Sequence, residues 1–403
     1  MNVKEQYVPV LDRRTGAPDP ARESWTPIAV LGLGVFVIGT DMFIVAGFLG
    51  QLAGDPGVTV GVAALTVTVF AIAYAVGAPL LGAALSVRSP RRVLIGSLTA
   101  FVVCAAVSAL APAMVVLLAA RVLGGLAASI FGPAAAAAAV AARPASRRGR
   151  ALGIVQGASS IAMIAGAPLG LLLASALSWR ASFGLVAVIS AIAVIGLLLT
   201  GFTSPPPARF TVRERFRPIR SPAVVGSLGV TFLMMTASNS IFSYLSVLLG
   251  DGTGMGGLCL FIAVFGVGGV AGTWCGGSAA DRWGGARVAL IAGILLTAAV
   301  VSLPFTATPV VTLAVLLGWG FAGWGFIPGQ QHRQLEIGSG PPSFLLALNS
   351  SAVQLGFAVG ALLGGRVVDT AGVDSLWILA AGCGVAGLTL HGVLSAIPRR
   401  IQS

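Results

Sequence analysis

The chain is 403 residues long, 57% hydrophobic and only 9% charged, with a formal net charge of +12. Soluble proteins carry about 25% charged residues, so the composition excludes a soluble enzyme or binding domain of any size. The basic surplus does not indicate nucleic acid either, because the arginines stand in alternate gaps between apolar stretches, with no interleaved aromatics and no folded reading domain.

A hydrocarbon core of roughly 30 Å takes about 20 helical residues to cross. Cutting at polar, Gly/Pro and Arg-rich gaps predicts twelve spans, at 26–50, 59–85, 92–111, 113–141, 151–175, 181–202, 223–249, 255–278, 287–305, 309–332, 343–367 and 375–397. Residues 1–25 are polar and mixed in charge with no short apolar core, which reads as an N-terminal cytoplasmic arm and not as a cleaved signal peptide; 398–403 reads as a cytoplasmic tail. Arg88, Arg91 and Arg92 follow the second span and Arg143, Arg147, Arg148 and Arg150 the fourth. Arg209, Arg213, Arg215, Arg217 and Arg220 lie in the proline-rich 203–222 connection, and Arg282, Arg287 and Arg333 follow later even-numbered spans. The opposite gaps hold Asp55, Asp251, Asp369 and Asp374. Positive residues stay inside, so both termini are expected in the cytoplasm.

The 203–222 linker separates an N-terminal six-helix half, 26–202, from a C-terminal one, 223–397. Two repeats relate them. Gly82 to Arg92 corresponds to Gly277 to Arg287 (277 − 82 = 195), and Gly166 to Gly170 corresponds to Gly360 to Gly364 (360 − 166 = 194). Parallel repeats of this kind place a cavity at the bilayer midplane between them.

Several motifs follow in chain order. The first span carries GTDMFIVAGFLG (39–50), and the second contains Gly77-Ala78-Pro79. GSAADRWGGAR supplies Gly277, Asp281, Arg282, Gly284 and Arg287; its first-half copy keeps Arg91 and Arg92 but has Ser86 in place of the acid. Arg121 and Gly125 stand in the fourth span, and Gly166, Pro168 and Gly170 in the fifth. On these stretches, over about residues 26–397, the chain resembles the major facilitator superfamily, within it the bacterial 12-span drug and sugar efflux branch that includes arabinose efflux and chloramphenicol-resistance permeases. The resemblance implies an all-α membrane protein of twelve transmembrane helices in two pseudo-symmetric halves, in a bacterial inner membrane and working as a monomer. It implies proton-coupled efflux of a small drug-like molecule, sugar or metabolite by alternating access, with protons and the lipid bilayer as the other partners. It also implies that the 277–287 loop, with Arg91 and Arg92, gates the cytoplasmic side. A symporter or facilitator importing a metabolite, and a non-transporting sensor on the same scaffold, are the competing readings.

Asp41 is the only acid well inside any predicted span. A charge there costs at least about 2.5 kcal/mol, so such a residue is a functional candidate by default. At roughly 1.5 Å per residue, Asp41 and Arg121 lie at similar depth, and spans 1 and 4 both line the cavity in the resembled family. A charge pair between them would carry proton coupling, or would be a static ion pair that fixes helix register. Arg121 could instead contact substrate, although tuning Asp41 is the favoured role. Phe43, Gln156, Asn239, Tyr244, Trp324 and Gln354 are the substrate-binding candidates, suited to a moderately apolar, hydrogen-bonding molecule, with helix packing as the alternative for each. Pro79 and Pro168, the latter between Gly166 and Gly170, are expected to bend their spans. The four cysteines lie singly in apolar spans, His332 and His391 lie far apart without a catalytic pattern, and no Walker-type run occurs. No metal or other cofactor is expected, leaving a proton gradient as the energy source.

Overall fold

The computed structural model describes residues 24–54, 58–84, 88–144, 147–200, 220–306, 308–338 and 342–396. The N-terminal arm, Ser86, most of the 203–222 linker and the C-terminal tail lie outside the described residues. Among the described residues, twelve helices are long and apolar enough to cross a membrane. They are α1 (Thr26–Ala53), α2 (Val60–Ala84), α3 (Pro90–Ala109), α4 (Met114–Ala141), α5 (Arg148–Ile161 and Ala167–Ala176, joined by a π turn over Ala162–Gly166) and α6 (Trp179–Leu199). The second half comprises α7 (Pro222–Phe242), α8 (Leu245–Trp283), α9 (Gly285–Ser302), α10 (Pro309–Ile337), α11 (Pro342–Ala371) and α12 (Leu376–Ala396).

Local chemistry sets the ends. Pro90, Pro222, Pro309 and Pro342 each open a helix at the position where a missing N–H costs nothing. Gly284 separates α8 from α9 at φ +84°, a conformation that favours glycine. The largest departure from the sequence expectation lies between α7 and α8. α7 stops at Phe242 instead of reaching 249, and α8 begins at Leu245, runs 39 residues to Trp283, and absorbs the GDGTGMGG stretch that reads as a gap. Glycine there lowers hydropathy and helix propensity, but an existing helix can continue through such residues.

The same pairings recur in both halves. α1 packs on α5 and α6, α2 on α4, and α3 on α4 and α6; α7 packs on α11 and α12, α8 on α10, and α9 on α10 and α12. Small residues permit the closest approaches. Gly268, Gly272 and Gly276, four residues apart on α8, let its backbone meet that of α10 at Leu317, Phe321 and Gly325.

The halves meet along α2 against α11 and along α8 against α5, where α8 also touches α1. The first runs from Gly61 and Asp369, at the face opposite the arginine-rich one, through a hydrogen bond from Thr68 Oγ1 to the Ala358 carbonyl (3.3 Å), to one from Ser351 Oγ to the Ala75 carbonyl (2.9 Å). The second runs from Pro168 and Cys259 to Met163 and Gly269. One buried apolar cluster combines the second half with first-half residues such as Phe48, Leu49, Leu52 and Leu171. Ile28, Leu31, Leu94, Phe131 and Ala138, toward the arginine-rich face, belong to a separate cluster built within the first half.

Candidate functional site

Asp41 on α1 and Arg121 on α4 meet inside the first half, 1% and 4% exposed, with Arg121 Nη1 donating to Asp41 Oδ2 at 2.5 Å. The guanidinium is held from further sides. Its Nε donates to the Thr66 carbonyl of α2 at 3.2 Å, and the group lies over the rings of Phe70 (4.2 Å) and Phe183 (5.5 Å). Packing of α5 on α1 fixes the other partner. A Cβ at Gly166 would run into Thr40, and one at Gly170 into Ile44, so these two glycines let α5 clasp α1 on both sides of Asp41. Pro168 lacks the N–H that the preceding turn would need, and the ladder widens there into the π turn Ala162–Gly166. Pro79 remains inside α2.

Arg121 also faces a small cavity, together with Phe43, Asn239, Phe242, Gln354 and Phe357, whereas Asp41 lies behind it. A neighbouring cavity shares Phe43, Asn239, Phe242 and Phe357 and adds Phe265 and Trp324. Each has room for about one water, too little for a drug-sized ligand. The walls are aromatic. Phe43 stands edge-on to Phe242 (6.0 Å) and Trp324 (5.8 Å), and Phe265 packs on Phe242 and Trp319, each at 5.0 Å.

The polar groups are few. Asn239 Nδ2 donates to the Phe357 carbonyl (2.7 Å) and to Ser243 Oγ (3.0 Å). Gln354 Nε2 lies 3.7 Å from Met42 Sδ, while its buried Oε1 has no hydrogen-bond partner. Trp319 lines neither cavity but packs behind Phe242 and Phe265 and donates to Ser238 Oγ at 2.9 Å.

Of the six predicted binding residues, Phe43, Asn239, Trp324 and Gln354 therefore come together. Tyr244 does not: its hydroxyl donates to the Ala361 carbonyl between α7 and α11. Gln156 is exposed on α5 and lines neither cavity. Phe242, Phe265 and Phe357 were missed. Phe242 and Phe357 each stand three residues after a polar candidate, Asn239 and Gln354, and so share its helical face.

The 277–287 segment closes α8 and opens α9. Gly284 is its turn, while Asp281, Arg282 and Arg287 are exposed and a Cβ at Gly277 would meet nothing. Asp281 lies 3.9 Å from His332 Nε2, and His332 Nδ1 lies 3.0 Å from Glu336. Arg91 turns to the end of α6 and donates to the Leu198 carbonyl at 3.0 Å; Arg92 is exposed. At the other face Asp369 of α11 accepts from the Gly61 N–H at 3.3 Å and from the Thr59 hydroxyl at 3.4 Å, so a second-half carboxylate caps the start of α2.

A family model described as Major Facilitator Superfamily matches residues 31–332. A chloramphenicol resistance protein from Streptomyces lividans is 32% identical over 75% of this chain and 79% of its own. The inner membrane transport protein YdhP of Escherichia coli K12 is 29% identical over 79% of this chain and 82% of its own. A probable sugar efflux transporter of Pasteurella multocida is 28% identical over 76% of each chain.

Proposed function

This chain belongs to the major facilitator superfamily and is a multi-pass inner-membrane transporter of small molecules, and from that premise we propose that it exports an uncharged, moderately apolar molecule in exchange for protons. The observation that carries this reading is the Asp41–Arg121 pair, buried among aromatic rings, with the arginine alone facing the central cavity. With both groups ionised the pair is neutral. A molecule filling the cavity would press the guanidinium onto the carboxylate and so expel a proton from Asp41; once it has left, Arg121 can draw back and a proton neutralises the acid left in that dry setting. Proton and molecule thus occupy the protein in turn, which ties outward movement of one to inward movement of the other.

Phe43, Phe242, Phe357 and Trp324 favour a ligand with an apolar face, and Asn239 and the unpartnered Gln354 Oε1 favour one hydroxyl or amide group. Relatives named for chloramphenicol resistance and for sugar efflux suit export of such compounds. The arginine-rich face is proposed as cytoplasmic, so the cross-half seams near Asp369 belong to a state closed toward the outside. The test is a screen in proteoliposomes holding the purified chain, with chloramphenicol, a sugar and a panel of neutral aromatic compounds, under an imposed pH gradient. At least one compound should accumulate in the compartment from which protons leave, and the Asp41→Asn variant should fail to concentrate it. Accumulation with the opposite sign would make the chain an importer, and counterflow of no compound would remove the transport cycle proposed for this pair.

A further inference from the structure

We propose that the groove between α3 and α4 on the membrane-facing side of the first half is a binding site for an anionic phospholipid, with its phosphate on Arg88 and Arg92 and an acyl chain along the trough. The groove is formed by small residues. Gly96, Ser97 and Ala100 on α3 face Ala127 on α4, between the larger Val103, Leu123 and Ile130, leaving about 1620 Å³ open along one side. A Cβ at Gly96 would meet nothing within 4 Å. The hydroxyl of Ser97 donates to the Val93 carbonyl at 2.7 Å, so the trough offers a ligand no free polar group between its arginine end and Cys104.

Charge and length then select the occupant. Arg88 and Arg92 are exposed at one end, with no acid within ion-pair distance among the described residues, whereas Arg91 between them is turned away to α6. From Arg92 to Val103 the trough follows α3 for about 16 Å, close to half the roughly 30 Å hydrocarbon core. A head-group anion at the arginines therefore leaves the length of one leaflet for its chain. Arginine forks suit phosphate oxygens, and basic residues at this depth attract anionic lipids.

The second half supplies an internal control. Val288, Ile291, Ala292 and Leu295 of α9 and Phe321, Ala322 and Gly325 of α10 line a groove at the 195-residue spacing of the loop repeat, but α8 forms its other wall, with Trp283 at the position of Arg88, and it leaves about 880 Å³ open. Ile291 and Leu295 stand where the first half has Gly96 and Ala100, and they put branched side chains where the first-half trough has only small ones.

The proposal shares no residue with the central site, so its failure would leave the transport reading untouched. The experiment is native mass spectrometry of the full chain, washed in detergent and titrated with phosphatidylglycerol or with phosphatidylcholine of the same acyl chains. Wild type should retain phosphatidylglycerol preferentially. Arg88→Gln with Arg92→Gln should weaken that binding on the order of tenfold without changing retention of phosphatidylcholine. Gly96→Ile, which copies the second half, should reduce retention of both lipids, and unchanged melting temperatures establish that the variants fold. Equal retention of the two lipids by wild type, or phosphatidylglycerol binding that no variant alters, would mean non-specific annular lipid and overturn the site. Displacement by millimolar inorganic phosphate would likewise overturn it in favour of a free anion.

Discussion

The two halves share a plan of helix contacts but differ at its centre. Gly166 of α5 sits on Thr40 of α1, and its repeat partner Gly360 of α11 sits on Thr236 of α7, so Asp41 corresponds to Ala237; the groove spacing likewise aligns Arg121 with Leu316. Ala237 and Leu316 are fully buried. One half thus holds an ion pair at positions where the other holds two buried apolar side chains. The fold does not require charge at this point. That argues against a purely structural role for the pair, since the repeat-related positions of the same molecule are apolar.

The largest effect should come from breaking the pair on one side. Arg121→Leu leaves a buried carboxylate without its partner and should destabilise the protein by about 3 to 5 kcal/mol, read as a fall in denaturation midpoint in detergent. Asp41→Ala with Arg121→Leu, which copies the second half, should recover most of that stability while pH-driven transport stays abolished. Recovery of transport in the double variant would end the comparison.

Next come the glycines that clasp the two halves' leading helices. A methyl at Gly360 would meet the Thr236 carbonyl at 2.7 Å and the Ser240 amide nitrogen at 2.9 Å, which are backbone atoms, whereas the nearest atoms to one at Gly170 all belong to the Ile44 side chain, which can turn. Gly360→Ala should therefore cost about 1 to 3 kcal/mol and Gly170→Ala less, measured as thermal midpoints. Equal costs would show that α5 on α1 is as rigid as α11 on α7.

A smaller effect is expected at the cap that crosses the α2–α11 seam. Asp369→Ala removes a helix cap worth about 1 kcal/mol and should shift the population toward states open at that face. A cysteine placed at Val247 should then label several times faster from that side, and an unchanged rate would mean that the apolar contacts alone hold the seam. Gln156→Ala, exposed and remote from both cavities, should change transport least, by less than about twofold.

Much of this was legible in the chain because the bilayer imposes coarse rules. Length and hydropathy mark the spans, and a lone acid among apolar residues is costly enough to signal itself. Asp41 and Arg121 were paired on similar depth and on the resembled family's placing of both their spans at the cavity, and they touch. The aromatic box was harder to read, since phenylalanine is ordinary in a membrane helix and Phe242, Phe265 and Phe357 acquire meaning only from the neighbours that the fold brings to them. Tyr244 was misleading for the same reason: its hydroxyl needs a partner when buried, and a backbone carbonyl of α11 supplies it. The extent of α8 was hidden by glycines that interrupt the hydropathy signal but not the helix.

The measurement that bears most directly on Asp41 as the coupling residue separates exchange from pumping in the same proteoliposomes. With any compound that wild type transports, Asp41→Asn should still exchange labelled for unlabelled molecules when no gradient is present, and should give no accumulation when a pH gradient is imposed. Accumulation by Asp41→Asn at the wild-type level would contradict the account and leave the buried pair a structural feature of the first half.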